Sequence, residues 1–134
     1  GYGTAEGLPS ATNVVADLEA AYQHIVAEGV PPERIVVYGQ SVGSGPVVRL
    51  ASRYKVGGVV LHSPLLSGIK VLDPVPERCC RPSCVFRCFD FFQNEEYMKY
   101  LSCPVFIIHG QRDDIIPFYH GYRLHKALSK SSLW

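Results

Sequence analysis

The apolar positions of the chain change period several times, and each change marks an element. Over residues 11–28 they fall at Val14, Val15, Leu18, Ala21, Tyr22, Ile25 and Val26, the i, i+3, i+4 spacing of one helical face. Ser10 precedes this run with a hydroxyl suited to accept from a first-turn N–H, and Gly29 with Pro31-Pro32 closes it. Arg34-Ile35-Val36-Val37-Tyr38 is short, β-branched and nearly continuous in apolar character, which predicts a strand buried on both faces of a parallel sheet. Residues 39–45 read as a tight turn of small residues and 46–54 as a helix. A second buried strand is expected over 56–61 and a third over 105–108, followed by a polar loop and a helix over about 118–128. Helix, strand, helix, strand, insert, strand, helix implies right-handed crossovers and a parallel α/β sheet. Residues 73–94 interrupt it with three prolines, four of the five cysteines, and Phe86, Phe89, Phe91 and Phe92.

The length of 134 residues suits one domain, and 47% hydrophobic with 19% charged residues is ordinary globular composition. Thirteen Lys+Arg against twelve Asp+Glu leave a formal charge of +1, which removes the basic stripe that nucleic-acid binding needs. No apolar run approaches the length of a membrane-spanning helix. The start at Gly1-Tyr2-Gly3 has no Met and no signal peptide, and reads as cut from something longer. An odd cysteine count without a secretory signal favours a reducing compartment.

Two places carry chemistry. Gly39-Gln40-Ser41-Val42-Gly43 matches G-x-S-x-G, the turn that lifts a serine hydroxyl clear of a sheet. Small residues at −2 and +2 relieve crowding there, and the next N–H, that of Val42, faces a developing oxyanion at a helix start. The competing reading is a structural or phosphate-binding glycine turn; a P-loop is excluded because G-x-x-x-x-G-K-[ST] is absent. The second place is Asp113, past the expected strand 105–108 in His109-Gly110-Gln111-Arg112-Asp113-Asp114. Parallel strands point one way, so this carboxylate belongs on the same rim as Ser41, and Ser before Asp is the order of a hydrolase triad on this fold. The competing reading is a loop-capping aspartate. Asp113 is preferred over Asp114.

Tyr38-Gly39-Gln40-Ser41-Val42-Gly43, Leu61-His62-Ser63-Pro64-Leu65 with Ser67-Gly68, Ala51-Ser52-Arg53-Tyr54, and Ile107-Ile108-His109-Gly110 with Asp113 resemble the α/β-hydrolase-domain protein 17 family. The resemblance covers nearly the whole chain except about 73–88. It implies a partial α/β-hydrolase fold, a parallel sheet with flanking helices lacking the N-terminal strands and the final strand and His loop. It also implies a serine hydrolase that removes palmitate from protein cysteines. Ser41 would be the nucleophile, Asp113 the triad acid and Val42 N–H one oxyanion donor, with no cofactor or metal. Partners would be S-acylated proteins on the cytoplasmic side of the plasma membrane or endosome, reached through an N-terminal segment absent here. Related peptidase-like and carboxylesterase-like hydrolases share the two motifs, so the substrate is less specified than the class.

One part of the pattern is missing. The family's catalytic histidine follows the last strand, and His24, His62, His109, His120 and His125 all stand elsewhere. The second oxyanion donor belongs to a loop before residue 1. The expectation is therefore an inactive isolated stretch, the alternative being a non-catalytic truncated scaffold. Cys79, Cys80, Cys84 and Cys88 are read as free thiols in a loop near the rim, with zinc binding and S-acylation as alternatives.

Overall fold

The computed structural model describes residues 7–72 and 90–128. The elements that position the site are helix α1 (Ala11–Ala27), strand β1 (Val36–Gln40), helix α2 (Ser44–Ala51), strand β2 (Gly58–His62), the short helix α3 (Asn94–Tyr97), strand β3 (Val105–Ile108) and helix α4 (Tyr119–Leu128). Ser10 caps α1, its hydroxyl accepting from Asn13 N–H at 3.0 Å, and Gly29 leaves the helix at φ +90°. Strand β1 starts two residues later than the pattern predicts and runs through Gln40, so the turn is confined to a single 3-10 turn, Ser41–Gly43.

The three strands form one parallel sheet in the order β1-β2-β3. Tyr38 pairs with Val60 and Val60 with Phe106; Gln40 pairs with His62 and His62 with Ile108. Parallel pairing with this register brings the three carboxyl ends level. The residues that follow them, Ser41, Ser63 and His109, therefore share one edge. Ser63 N–H extends the ladder by one bond, to Ile108 C=O at 2.8 Å.

The core lies on one face of the sheet. Ile35, Val37, Val59 and Leu61 meet Tyr22 of α1, Val47, Val48, Leu50 and Ala51 of α2, and Leu124 and Leu128 of α4, with Leu66, Met98 and Leu101 filling between. Each such leucine contributes roughly 1.5–3 kcal/mol of burial. Among the described residues the strands are buried on one face. Val36 and Phe106 are each 63% exposed and Tyr38 55%, because among the described residues all three major helices cover the same face. The continuous apolar run therefore makes one packed and one open apolar face.

Of the 73–94 insert, residues 73–89, with Cys79, Cys80, Cys84 and Cys88, lie outside the described residues. Its end is docked into the fold. Phe91 and Phe92 pack edge to face at 5.4 Å, and their rings lie on the backbones of Gly68 and Gly45, where any Cβ would collide with them. Asp90 accepts from Ile69 N–H at 3.1 Å, Phe91 C=O accepts from Gly68 N–H at 2.8 Å, and Glu95 pairs with both Lys70 and Arg123. The stretches on either side of the insert are thus tied together at residues 68–70.

Candidate active site

Ser41 follows β1 with φ +50°, left-handed backbone that a serine adopts only when its surroundings impose it. The turn is built by what stands two residues before it. A Cβ on Gly39 would lie 2.5 Å from Gly43 O and 2.9 Å from Ser44 Cα, so only glycine lets α2 start this close to the strand. The same requirement does not hold at Gly43, where a Cβ would meet nothing within 4 Å and φ is −64°. Ser41 is half-buried, and its side chain has no hydrogen-bond partner among the described residues. Val42 is 58% exposed at the second position of the 3-10 turn, where a backbone N–H has no helical acceptor behind it.

Asp113 stands in the loop after β3, where among the described residues it accepts three hydrogen bonds and keeps a lone pair of Oδ2 free. Its Oδ1 takes Ile115 N–H at 3.0 Å and Ile116 N–H at 2.8 Å, and its Oδ2 takes the hydroxyl of Ser63 at 2.8 Å. These donors favour the ionised form, and the Ile116 N–H and the Ser63 hydroxyl hold the carboxyl below its ordinary value of 3.8. Asp114 is exposed. Ser63, with φ +44°, is the residue whose part in this arrangement sequence reasoning missed. A serine after an apolar strand carries no signal until β2 is placed between β1 and β3.

The five histidines have other occupations. His109, side chain 2% exposed, donates from Nε2 to Ile116 C=O at 2.7 Å and so closes the Asp113 loop; the Asp113 Oδ2 lies 3.8 Å from the same nitrogen. His120 is buried in α4 and its Nδ1 accepts from Leu66 N–H at 3.0 Å. Tyr38 hydroxyl and His62 Nδ1 are 2.9 Å apart on the open sheet face. His24 and His125 are exposed on α1 and α4. The structure thus places Ser41, Val42 and Asp113 along one carboxyl edge of the sheet, and no histidine is hydrogen-bonded to the Ser41 side chain. No helix among the described residues is long and apolar enough to cross a membrane.

No family model matches the chain. It is 40% identical over its whole length to alpha/beta hydrolase domain-containing protein 17C of Mus musculus, of which it covers 41%. The chain thus spans about two fifths of the length of the curated relatives it matches. Among solved structures it superimposes on a puromycin-hydrolysing peptidase of Mycobacterium tuberculosis with a TM-score of 0.66, at 17% identity over 88% of this chain and 20% of that one. It superimposes on the monoacylglycerol lipase of Paleococcus ferrophilus with a TM-score of 0.61, at 19% identity over 92% of this chain and 63% of that one. The three parallel strands with their helices are a part of the α/β-hydrolase fold, and from end to end the sequence is similar to the alpha/beta hydrolase domain-containing proteins 17.

Proposed function

We infer that this chain carries the nucleophile and the acid of a serine hydrolase that cleaves the thioester of S-palmitoyl-cysteine in proteins. The observation that carries the reading is the left-handed Ser41 at the carboxyl end of β1, with an ionised, triply hydrogen-bonded Asp113 on the same edge. Ser41 Oγ attacks the thioester carbonyl carbon as its hydroxyl proton passes to an imidazole base, and Val42 N–H donates to the oxygen as it becomes negative. Collapse expels the cysteine thiolate, which takes up that proton from the imidazolium, and leaves an acyl-serine. Water hydrolyses that ester to release palmitate and regenerate Ser41. Asp113 orients and stabilises an imidazole that none of the five histidines here supplies, so the base belongs to the remainder of the full-length protein. The thioester substrate follows from the likeness to the protein 17 family. A cytoplasmic membrane surface is the place where S-acylated proteins are met.

The test is made in the full-length protein. Ser41→Ala abolishes labelling by a fluorophosphonate probe and release of palmitate from an S-acylated peptide, while the circular dichroism spectrum and melting temperature are retained. Undiminished labelling of the alanine variant removes Ser41 from the chemistry. Labelling that depends on Ser41, with turnover of oxygen esters but none of thioesters, replaces the depalmitoylase by a carboxylesterase.

A further inference from the structure

Beneath the turn lies a buried polar cluster that the proposed chemistry does not yet use. Ser44 is fully buried at the first residue of α2. Its hydroxyl donates to Ser41 C=O at 2.6 Å, and its own N–H points to the same carbonyl. The hydroxyl oxygen also accepts from Leu65 N–H at 3.3 Å and from Asn94 Nδ2 at 3.1 Å. Asn94, equally buried, gives its other amide hydrogen to Leu65 C=O at 2.8 Å, and its Oδ1 has no partner among the described residues.

Hydrogen counting fixes the direction of this cluster. A serine hydroxyl has one hydrogen and two lone pairs. Leu65 and Asn94 occupy the lone pairs, so the hydrogen has one remaining use, the carbonyl of Ser41. That carbonyl shares a planar peptide with Val42 N–H, and in a trans peptide the two point in opposite directions. Whatever holds the carbonyl therefore aims the N–H.

We propose that Ser44 and Asn94 are positioning residues for the oxyanion donor: from below the turn they hold the Ser41–Val42 peptide plane so that Val42 N–H faces outward along the edge where Ser41 Oγ stands. The inference rests on the reading of Ser41 as nucleophile and extends it to residues that touch no substrate. It also gives the return of the chain after residue 89 a part in the site. Asn94 is placed by Phe92, whose φ is +54° and whose C=O accepts Asn94 N–H at 2.7 Å.

An oxyanion contact strengthens in the transition state, so its loss lowers kcat and kcat/KM together and leaves KM in place. The experiment compares Ser44→Ala, Ser44→Thr and Asn94→Asp in the full-length protein, with rates divided by fluorophosphonate-titrated active sites. Ser44→Ala is expected to lower kcat by about tenfold to a hundredfold. Ser44→Thr keeps the hydroxyl and restores most of the rate. Asn94→Asp matches the amide in size but replaces donors by acceptors, draws the Ser44 hydrogen away from Ser41, and behaves like Ser44→Ala. A role confined to stability would change the melting temperature and the titrated fraction without changing the rate per site.

A rate per site in Ser44→Ala within about twofold of the parent overturns the proposal, as does a loss confined to KM or a threonine variant no better than alanine. Retained turnover in Ser41→Ala is a separate failure, that of the nucleophile reading. In that event the orientation of the Val42 N–H vector, read from NMR residual dipolar couplings, decides: a reoriented vector in Ser44→Ala that Ser44→Thr restores upholds the peptide-plane link, and an unchanged vector overturns it.

Discussion

The hydroxyl of Ser63 donates to Oδ2 of Asp113 at 2.8 Å, so the carboxylate beyond β3 is gripped by the residue that follows β2. Because this bond helps to hold the carboxyl below 3.8, Ser63→Ala moves the Asp113 titration upward, though not fully, since Ile115 and Ile116 N–H remain. A depressed carboxyl stabilises the fold above its ordinary value, and that contribution is lost as pH falls through the folded value. The variant therefore loses part of its acid dependence of stability. Carboxyl titration by NMR checks this; an unmoved Asp113 resonance means that the bond does not hold in solution.

Gly39 and Gly43 separate under substitution although the motif treats them alike. Gly39→Ala forces a methyl onto the Gly43 carbonyl, backbone that cannot rotate aside, and should destabilise by about 1–3 kcal/mol. Gly43→Ala enters open space and should lie within about 0.5 kcal/mol of the parent. Denaturant midpoints with unchanged slopes measure both.

Glu95 predicts a second acid sensitivity. Burial pushes its carboxyl up, but Lys70 and Arg123 more than offset this and leave it below 4.5. The stability it lends is present above that value and lost as pH falls through the lowered one. Glu95→Gln should flatten the pH dependence of the melting temperature in that acid window and leave it unchanged near neutrality apart from a constant offset. A parallel curve for the two proteins rejects the coupling.

Tyr22 anchors α1 by its hydroxyl, which donates to Lys55 C=O at 2.8 Å, while its ring lies 5.2 Å from that of Tyr54. Tyr22→Phe keeps the ring and leaves one carbonyl unmet, a loss of about 1 kcal/mol. Chemical denaturation gives the value directly. A variant as stable as the parent shows that water replaces the hydroxyl.

Local pattern was enough for the parts of the fold that local physics decides. The period of Val14 to Val26 with Ser10 and Gly29 gave α1, and Val105-Phe106-Ile107-Ile108 gave β3. The start of β1 was misplaced because Ile35 is as apolar as a strand residue yet follows a 3-10 turn whose last bond, Ile35 N–H to Pro32 C=O, it makes. The second apolar face of the strands is one that the described residues leave uncovered, and an apolar run states that a face is dry-adapted and not what lies against it. In the site, Ser41 and Asp113 stand out as residue types in a motif. Ser63, Ser44 and Asn94 do not, since their meaning comes from neighbours 50 residues away in sequence.

The open face of the sheet has a kinetic corollary. Val36, Tyr38, Phe106 and Ile108 form an apolar row that water touches, beside two strands that each have one pairing partner among the described residues. When this stretch is expressed on its own, two copies can bury these rows against each other faster than a heated copy refolds. Its heat unfolding is then irreversible and set by a rate: the apparent midpoint falls as protein concentration rises and climbs with scan speed. Charged residues at Val36 and Phe106, placed outward on the same pleats, restore reversibility without touching the edge where Ser41 stands.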